Sequence, residues 1–510
     1  MNEKPTSLYK YIASKIVDGQ LPDDFSLPKE KKDNEITWMD GAQDGVRIYH
    51  MGYSDLTEED RALMEEAVNT ASEKNTDKAD VLFSKLGQST SAIAVIDDLQ
   101  PYIIENKDTL SIENLFHYAT HLVSDSFDKE CVKFGLSLLE LFHFEEDETL
   151  KEVVRTLGMS DEFSIFSIFV MSNWQNGNYE IFQLAKKIHG WGRIHAIEHI
   201  EPDSNEIKQW LLREGVHNKV LSAYSALTCW QKSDALNILQ GKLSREDFSG
   251  IRDIIDGLLD EGPVFGISEI ENNADVIVAF LNQSKTITLT LDDYETIHTI
   301  WMHFEREEYK NNTIIDLCQN ILGEKNCREL VSQAVKEGKS LRLAQALQID
   351  YREDILQILK TSFQNNYYLC SYITNDAKYR AEVLQIFAQN LPLDAMKTAP
   401  SDSLGLGSEY IQQNQLEIIV QCIKKYPLEG TAFVETALQS APVRLRNNGI
   451  SVLESWVSAK KTPLNILLPD MYALVCRLRD IEIREDVKQA MSRLIDGKVA
   501  FEDEQKEEES

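Results

Sequence analysis

The stretch HGWGRIHAIEHIEPDSNEIKQWLLREGVHNKVLSAYSALTCW, residues 189–230, decides the fold. It reads as a helix, a tight break, a second helix, another break and a third. Pro202 precedes Asp203 and Ser204, either of which can cap the middle helix, and Glu206 stands three residues after Asp203 as in a capping box. Ile207, Trp210 and Leu211 then share one face, and Gly215 ends the run. Val220, Leu221, Tyr224, Leu227 and Trp230 repeat the pattern. Helices this short cannot bury their apolar stripes alone and must stack on neighbouring pairs, so the sequence predicts an all-α helical repeat array, an α-solenoid.

The same punctuation extends outward. Upstream, residues 161–188 form the most apolar block, two helices split at Asn176-Gly177-Asn178, and helices are expected near 77–87, 91–104, 111–124, 127–143 and 147–157. Downstream, the pattern runs from Asp247 to Leu259, breaks at Gly262-Pro263, and resumes near Ala274. An extended run at 285–291 then leads to helices at 292–306, 313–322, 325–337, 341–348, 352–363 and 377–389. The predicted organisation is an irregular N-terminal segment (1–53), a helical repeat domain (54–397), a linker (398–408), C-terminal helical repeats (409–495) and an acidic, disordered tail (496–510). Within the first segment, ITWMDGAQDGVRIYHMGY (36–53) alternates apolar and polar residues around a Gly-rich turn and reads as a hairpin.

Composition narrows the partners. The 510 residues carry 84 acidic and 52 basic side chains, a formal charge of −32, which repels nucleic-acid phosphates and anionic lipid surfaces and favours basic protein partners. No membrane span is expected, since the most apolar run, 163–171, is far shorter than the roughly twenty residues a span needs. Seven cysteines without a CxxC fit reduced core thiols better than a disulfide or zinc framework, and with no apolar leader after Met1 they point to a cytoplasmic protein.

Several histidine spacings mimic metal sites. His195, Glu198 and His199 form an HxxEH, the inverted zincin order in which two imidazoles one turn apart bind zinc. Glu140/His143, Glu214/His217 and Glu295/His298 are ExxH pairs, of which two with further glutamates could build a di-iron carboxylate site. His117 and His121 are i,i+4 neighbours, whereas His143/Glu145 and His303/Glu305, at i,i+2, point apart on a helix. Histidines and glutamates are common enough on these helices for each spacing to arise as a solvated or satisfied helix face. No metal ligand is therefore assigned, and catalytic and cofactor-binding residues stay unassigned. No P-loop, GxSxG or haem-thiolate cysteine context occurs, and Gly405-Leu406-Gly407 is a linker rather than a nucleotide fingerprint.

Two resemblances follow from particular residues. Gly192-Arg193-Ile194-His195-Ala196-Ile197 is echoed by Pro442-Val443-Arg444-Leu445-Arg446-Asn447-Asn448-Gly449-Ile450, each with a basic residue at a helix start and apolar residues one turn on; this resembles HEAT-like repeats. The segment HGWGRIHAIEHIEPDSNEIKQWLLREGVHN, with the preceding SIFVMSNWQNGNYEIFQLAKKI, resembles the limonene hydroxylases of thermophilic bacilli. That resemblance implies a monooxygenase converting the monoterpene limonene to carveol and perillyl alcohol with reduced nicotinamide (NADH or NADPH) as donor. It brings no catalytic residues with it. The alternative reading, from the repeats and the charge, is a non-catalytic α-solenoid acting as a protein-interaction scaffold. Convergence of Glu140, His143, Glu295 and His298 in one core would favour the oxidoreductase, and their dispersal the scaffold.

Overall fold

The computed structural model describes residues 6–28 and 38–497. Among these the chain is helical throughout, from Leu8–Ala13 to Glu485–Ile495, and the sole β-type pairing is an isolated bridge between Val17 and Gln20. It forms an all-α helical repeat fold divided into two compact units, residues 1–320 and 321–510. Within each unit, successive helices pack on their neighbours and on the next but one. Ile112–Asp125 lies on Lys129–Leu139, Ala223–Lys232 on Arg245–Leu258, and Val443–Lys460 on both Thr431–Leu438 and Glu485–Ile495.

Local chemistry starts these helices where the sequence places them. Ser204 caps Asn205–Glu214 by accepting from the Ile207 amide at 3.3 Å, and Ser244 caps Arg245–Leu258 by accepting from Asp247 N at 3.1 Å. Thr290 and Asp293 form a full capping box on Leu291–Phe304. Trp191–His199, Asn205–Glu214 and Ala223–Lys232 are the three helices of the 189–230 stretch, the third starting three residues later than its apolar spacing suggests. The apolar block becomes Ser164–Ser172 and Gly177–Ala185, with Phe163, Phe166 and Ile168 fully buried.

The predicted hairpin is not formed. Ala42–Val46 is an α-helix and Arg47–Met51 a π-helical turn; Ile36 and Thr37 lie outside the described residues, as does the tail from 498 onward. Alternation alone makes a strand only where another strand offers a ladder, and here the neighbours are helices. A buried charge cluster holds the segment instead. Lys133, on the buried face of its helix, reaches Asp44 at 2.7 Å, Glu162 at 2.7 Å and Glu130 at 2.9 Å, while Glu162 also accepts from Gly41 N at 3.1 Å and Lys129 meets Asp40 at 3.1 Å. Burial opposes the Lys133 charge, but the three carboxylates outweigh it and hold the ammonium well above its ordinary pKa. Gly45 lies so close to the Trp191 ring that a Cβ would overlap it, so only glycine fits. Residues 398–408 are strapped to the 439–443 turn through Thr398 N to Gln439 O (2.7 Å), Ser401 N to Ala441 O (3.1 Å) and Val443 N to Ser403 O (2.9 Å).

Within each unit, arginines tie several helices to later ones. Arg213 donates to Asp247 at 2.8 Å, Arg245 and Arg252 both donate to the fully buried Asp293, and Arg380 grips Glu429 with two nitrogens at 2.7 and 2.8 Å. Arg446, 1% exposed, does the same to Glu482 at 2.8 and 2.9 Å. The carboxylates stand at or just before helix N-termini, where the backbone also favours negative charge: Glu482 accepts from Ile483 N and Arg484 N at 3.0 Å each. Arg380 and Arg446 further donate to carbonyls six residues back, Thr374 and Ser440. Removing one partner strands a buried charge, so Glu482→Ala is expected to destabilise the chain by about 3–5 kcal/mol, whereas Arg446→Met with Glu482→Leu loses less than Glu482→Ala alone. Urea unfolding of the three proteins checks this; equal losses in both variants would sink it.

Candidate functional site

In the first unit the π-helical turn lays Tyr49 across the helices that follow the 189–230 pattern. Its ring packs on Trp191 (centroids 5.8 Å), His195 (6.2 Å, stacked) and edge-on to Tyr224 (5.0 Å), and His50 Nε2 lies 2.7 Å from Tyr224 Oη. This aromatic cluster floors one end of an open cleft of about 710 Å³. Leu227, Pro263, Val264 and Phe265 line its walls with Tyr309, and Phe265 is 74% exposed. Tyr309 in turn stacks on His303 at 4.5 Å; burial, with Arg306 nearby, lowers the pKa of that imidazole.

The charged groups that line the cleft are both acidic, Glu198 and Glu261. Glu198 faces His195 Nδ1 at 4.0 Å, too long for a direct hydrogen bond, and both His195 Nδ1 and Tyr49 Oη are buried without a hydrogen-bond partner. Burial raises the Glu198 carboxyl, but attraction from His195 and Tyr49 reverses this and leaves it below the usual carboxylate range, hence ionised. Burial and the Glu198 charge push the Tyr49 phenol up, so it keeps its proton. Across the cleft Glu261 accepts from Gly266 N at 3.2 Å and Ser268 N at 2.8 Å, which shapes the Gly262–Phe265 loop. The site offers two carboxylates between apolar walls: it suits an apolar stem carrying a positive head.

The sequence-derived metal spacings do not assemble. His195 is buried against Tyr49 and Trp191, whereas His199 places Nδ1 2.8 Å from the His195 carbonyl and its ring edge-on to Phe169. Glu140 accepts from Gln100 at 2.7 Å, and His143 is exposed beyond the end of its helix. Glu295 and His298 are half-buried, with His298 edge-on to Trp301. Glu214 and His217 do meet, at 3.3 Å, but His217 Nε2 lies 3.0 Å from Asp253, so the pair belongs to a surface charge network. His117 lies 3.9 Å from Glu113 and His121 lies 3.2 Å from Asp80, so neither clamps a metal with the other. Glu145 pairs with Lys151 at 3.1 Å, apart from His143. Glu305 is exposed while His303 is buried. Among the described residues no three His, Cys, Asp or Glu side chains are grouped to hold a metal ion.

The cleft itself was hidden in the sequence, where Gly262-Pro263 reads only as a break and Tyr49 as part of a strand. Comparison of the chain with protein-family models, curated proteins and solved structures finds no match, so the class of protein rests on the helical repeat fold. The resemblance to limonene hydroxylase has no relative behind it. No helix among the described residues is long and apolar enough to cross a membrane.

Beneath the same helix, Asp161 accepts from Gly192 N at 3.0 Å, and burial pushes its carboxyl up to about 6. Its folded pKa lies above its unfolded value of 3.8, so the native state holds this proton longer and stability falls as pH rises between those two values. Asp161→Asn keeps an acceptor and removes the titration. The stability of the wild type relative to this variant is expected to drop between about pH 4 and 6 and stay flat above, as read by chemical denaturation across pH.

Proposed function

We propose that this chain is a non-catalytic helical-repeat scaffold whose cleft between Glu198 and Phe265 receives a basic, apolar-stemmed segment of a partner protein. The observation that carries the reading is the pairing of apolar walls with the carboxylates of Glu198 and Glu261 in one cleft. A lysine or arginine side chain can bury its methylenes against Leu227, Val264 and Phe265 while its head reaches the carboxylates. The charge of −32 steers such a segment inward. The oxygen-inserting reading implied by the resemblance gains no support from Glu140, His143, Glu295 and His298, which share no metal-holding group.

A fluorescent peptide alternating Arg and Leu is the probe, with a Glu/Leu peptide of equal length as control. Anisotropy titration is expected to show binding of the basic peptide only, weakening as salt rises. The double change Glu198→Gln with Glu261→Gln should weaken it about tenfold, the loss of roughly 1.4 kcal/mol across two charge contacts. Equal affinity for wild type and variant would mean that net charge alone attracts the peptide, and would end this reading.

A further inference from the structure

Cys370 and Cys422 stand 52 positions apart in sequence, yet their sulfurs are 3.8 Å apart. Cys370 belongs to the 3-10 turn Tyr367–Tyr372 and Cys422 to the penultimate position of Ile411–Ile423, and these two elements pack on each other inside the second unit. We propose that the pair is a modification site, a dithiol that a hydroperoxide oxidises to a disulfide.

The two thiols are unequal in the way such chemistry needs. Cys370 is fully buried, while Cys422 is partly open to solvent, so a small oxidant meets Cys422 first. Hydrogen bonding from Cys370, and then from Thr374, outweighs burial and holds the Cys422 thiol below its ordinary pKa, which favours the nucleophilic thiolate. Hydrogen bonding to Cys422, together with burial, pushes Cys370 up, so Cys370 keeps its own proton.

In the first step the Cys422 sulfur attacks the outer oxygen of the hydroperoxide. The O–O bond breaks, the alcohol or water leaves with a proton, and Cys422 becomes a sulfenic acid. In the second the Cys370 sulfur attacks the Cys422 sulfur, the S–O bond breaks, and hydroxide leaves as water with the Cys370 proton. Two thiols lose two electrons in total, and the hydroperoxide gains them. Closing the S–S bond to about 2.05 Å requires the sulfurs to approach by under about 2 Å, within reach of small side-chain rotations.

The test uses the full chain with hydrogen peroxide as probe. Stoichiometric peroxide is expected to remove two of the seven titratable thiols, with non-reducing peptide mapping linking Cys370 to Cys422 and dithiothreitol restoring both. Cys370→Ser should stop the reaction at a Cys422 sulfenic acid that dimedone traps, and Cys422→Ser should leave Cys370 reduced. The proposal is overturned if mapping of the wild type finds both thiols intact after Cys476, half-buried like Cys422, has been oxidised, or finds either one linked elsewhere.

Discussion

A buried or half-buried arginine, gripping a carboxylate at the start of a later helix, is the constraint on which the repeat depends. Apolar stripes make short helices stack, but they allow one helix to slide or rotate on the next. Arg213 on Asp247, Arg245 on Asp293, Arg380 on Glu429 and Arg446 on Glu482 remove that freedom, because planar two-pronged contacts fix both distance and angle. Asp293 also accepts from the Thr290 amide and Glu482 from those of Ile483 and Arg484, at the starts of their helices. One interaction therefore sets where a helix begins and how it lies on its predecessor.

The Lys133 cluster applies the same logic to the N-terminal segment. A single ammonium buried among Asp44, Glu130 and Glu162 gives residues 38–51 an attachment that hydrophobic packing does not provide, since that segment has few large buried side chains. Its placement is what brings Tyr49 over Trp191 and Tyr224 and so completes one wall of the cleft. Fold and candidate site are thus joined through charge: the clamp positions the turn, the turn positions the phenol, and the phenol covers His195 beside Glu198.

The cleft and the dithiol draw on different properties of the array. The cleft uses the loop Gly262–Phe265, where the helical pattern breaks and apolar side chains are left facing solvent above Glu198 and Glu261. The dithiol uses the packing of two adjacent elements in the second unit, where a cysteine on each happens to meet the other at van der Waals distance. Neither requires a bound cofactor.

The sequence by itself determined the fold class, because a helix's start, its buried face and its end are written within ten or fifteen neighbouring residues. Ser204, Ile207, Leu211 and Gly215 behave as their spacing says, and so do the two helices around Asn176-Gly177-Asn178. It also held half of one arginine tie, Arg446 of the repeat echo, without naming its partner Glu482, whereas its counterpart Arg193 donates to the Glu214 carbonyl. Tertiary structure decided the rest. Alternation over residues 36–53 looked like a hairpin because period alone does not say what will lie alongside, and Lys133 and Trp191, more than eighty residues away, hold the helical segment 42–51 in place. The histidine spacings looked like metal sites because i,i+3 and i,i+4 put groups on one face, whereas a site needs faces from several helices to converge. Glu198 with Glu261, and Cys370 with Cys422, are the converse case: residues far apart in the chain, silent as motifs, joined only when the helices stack.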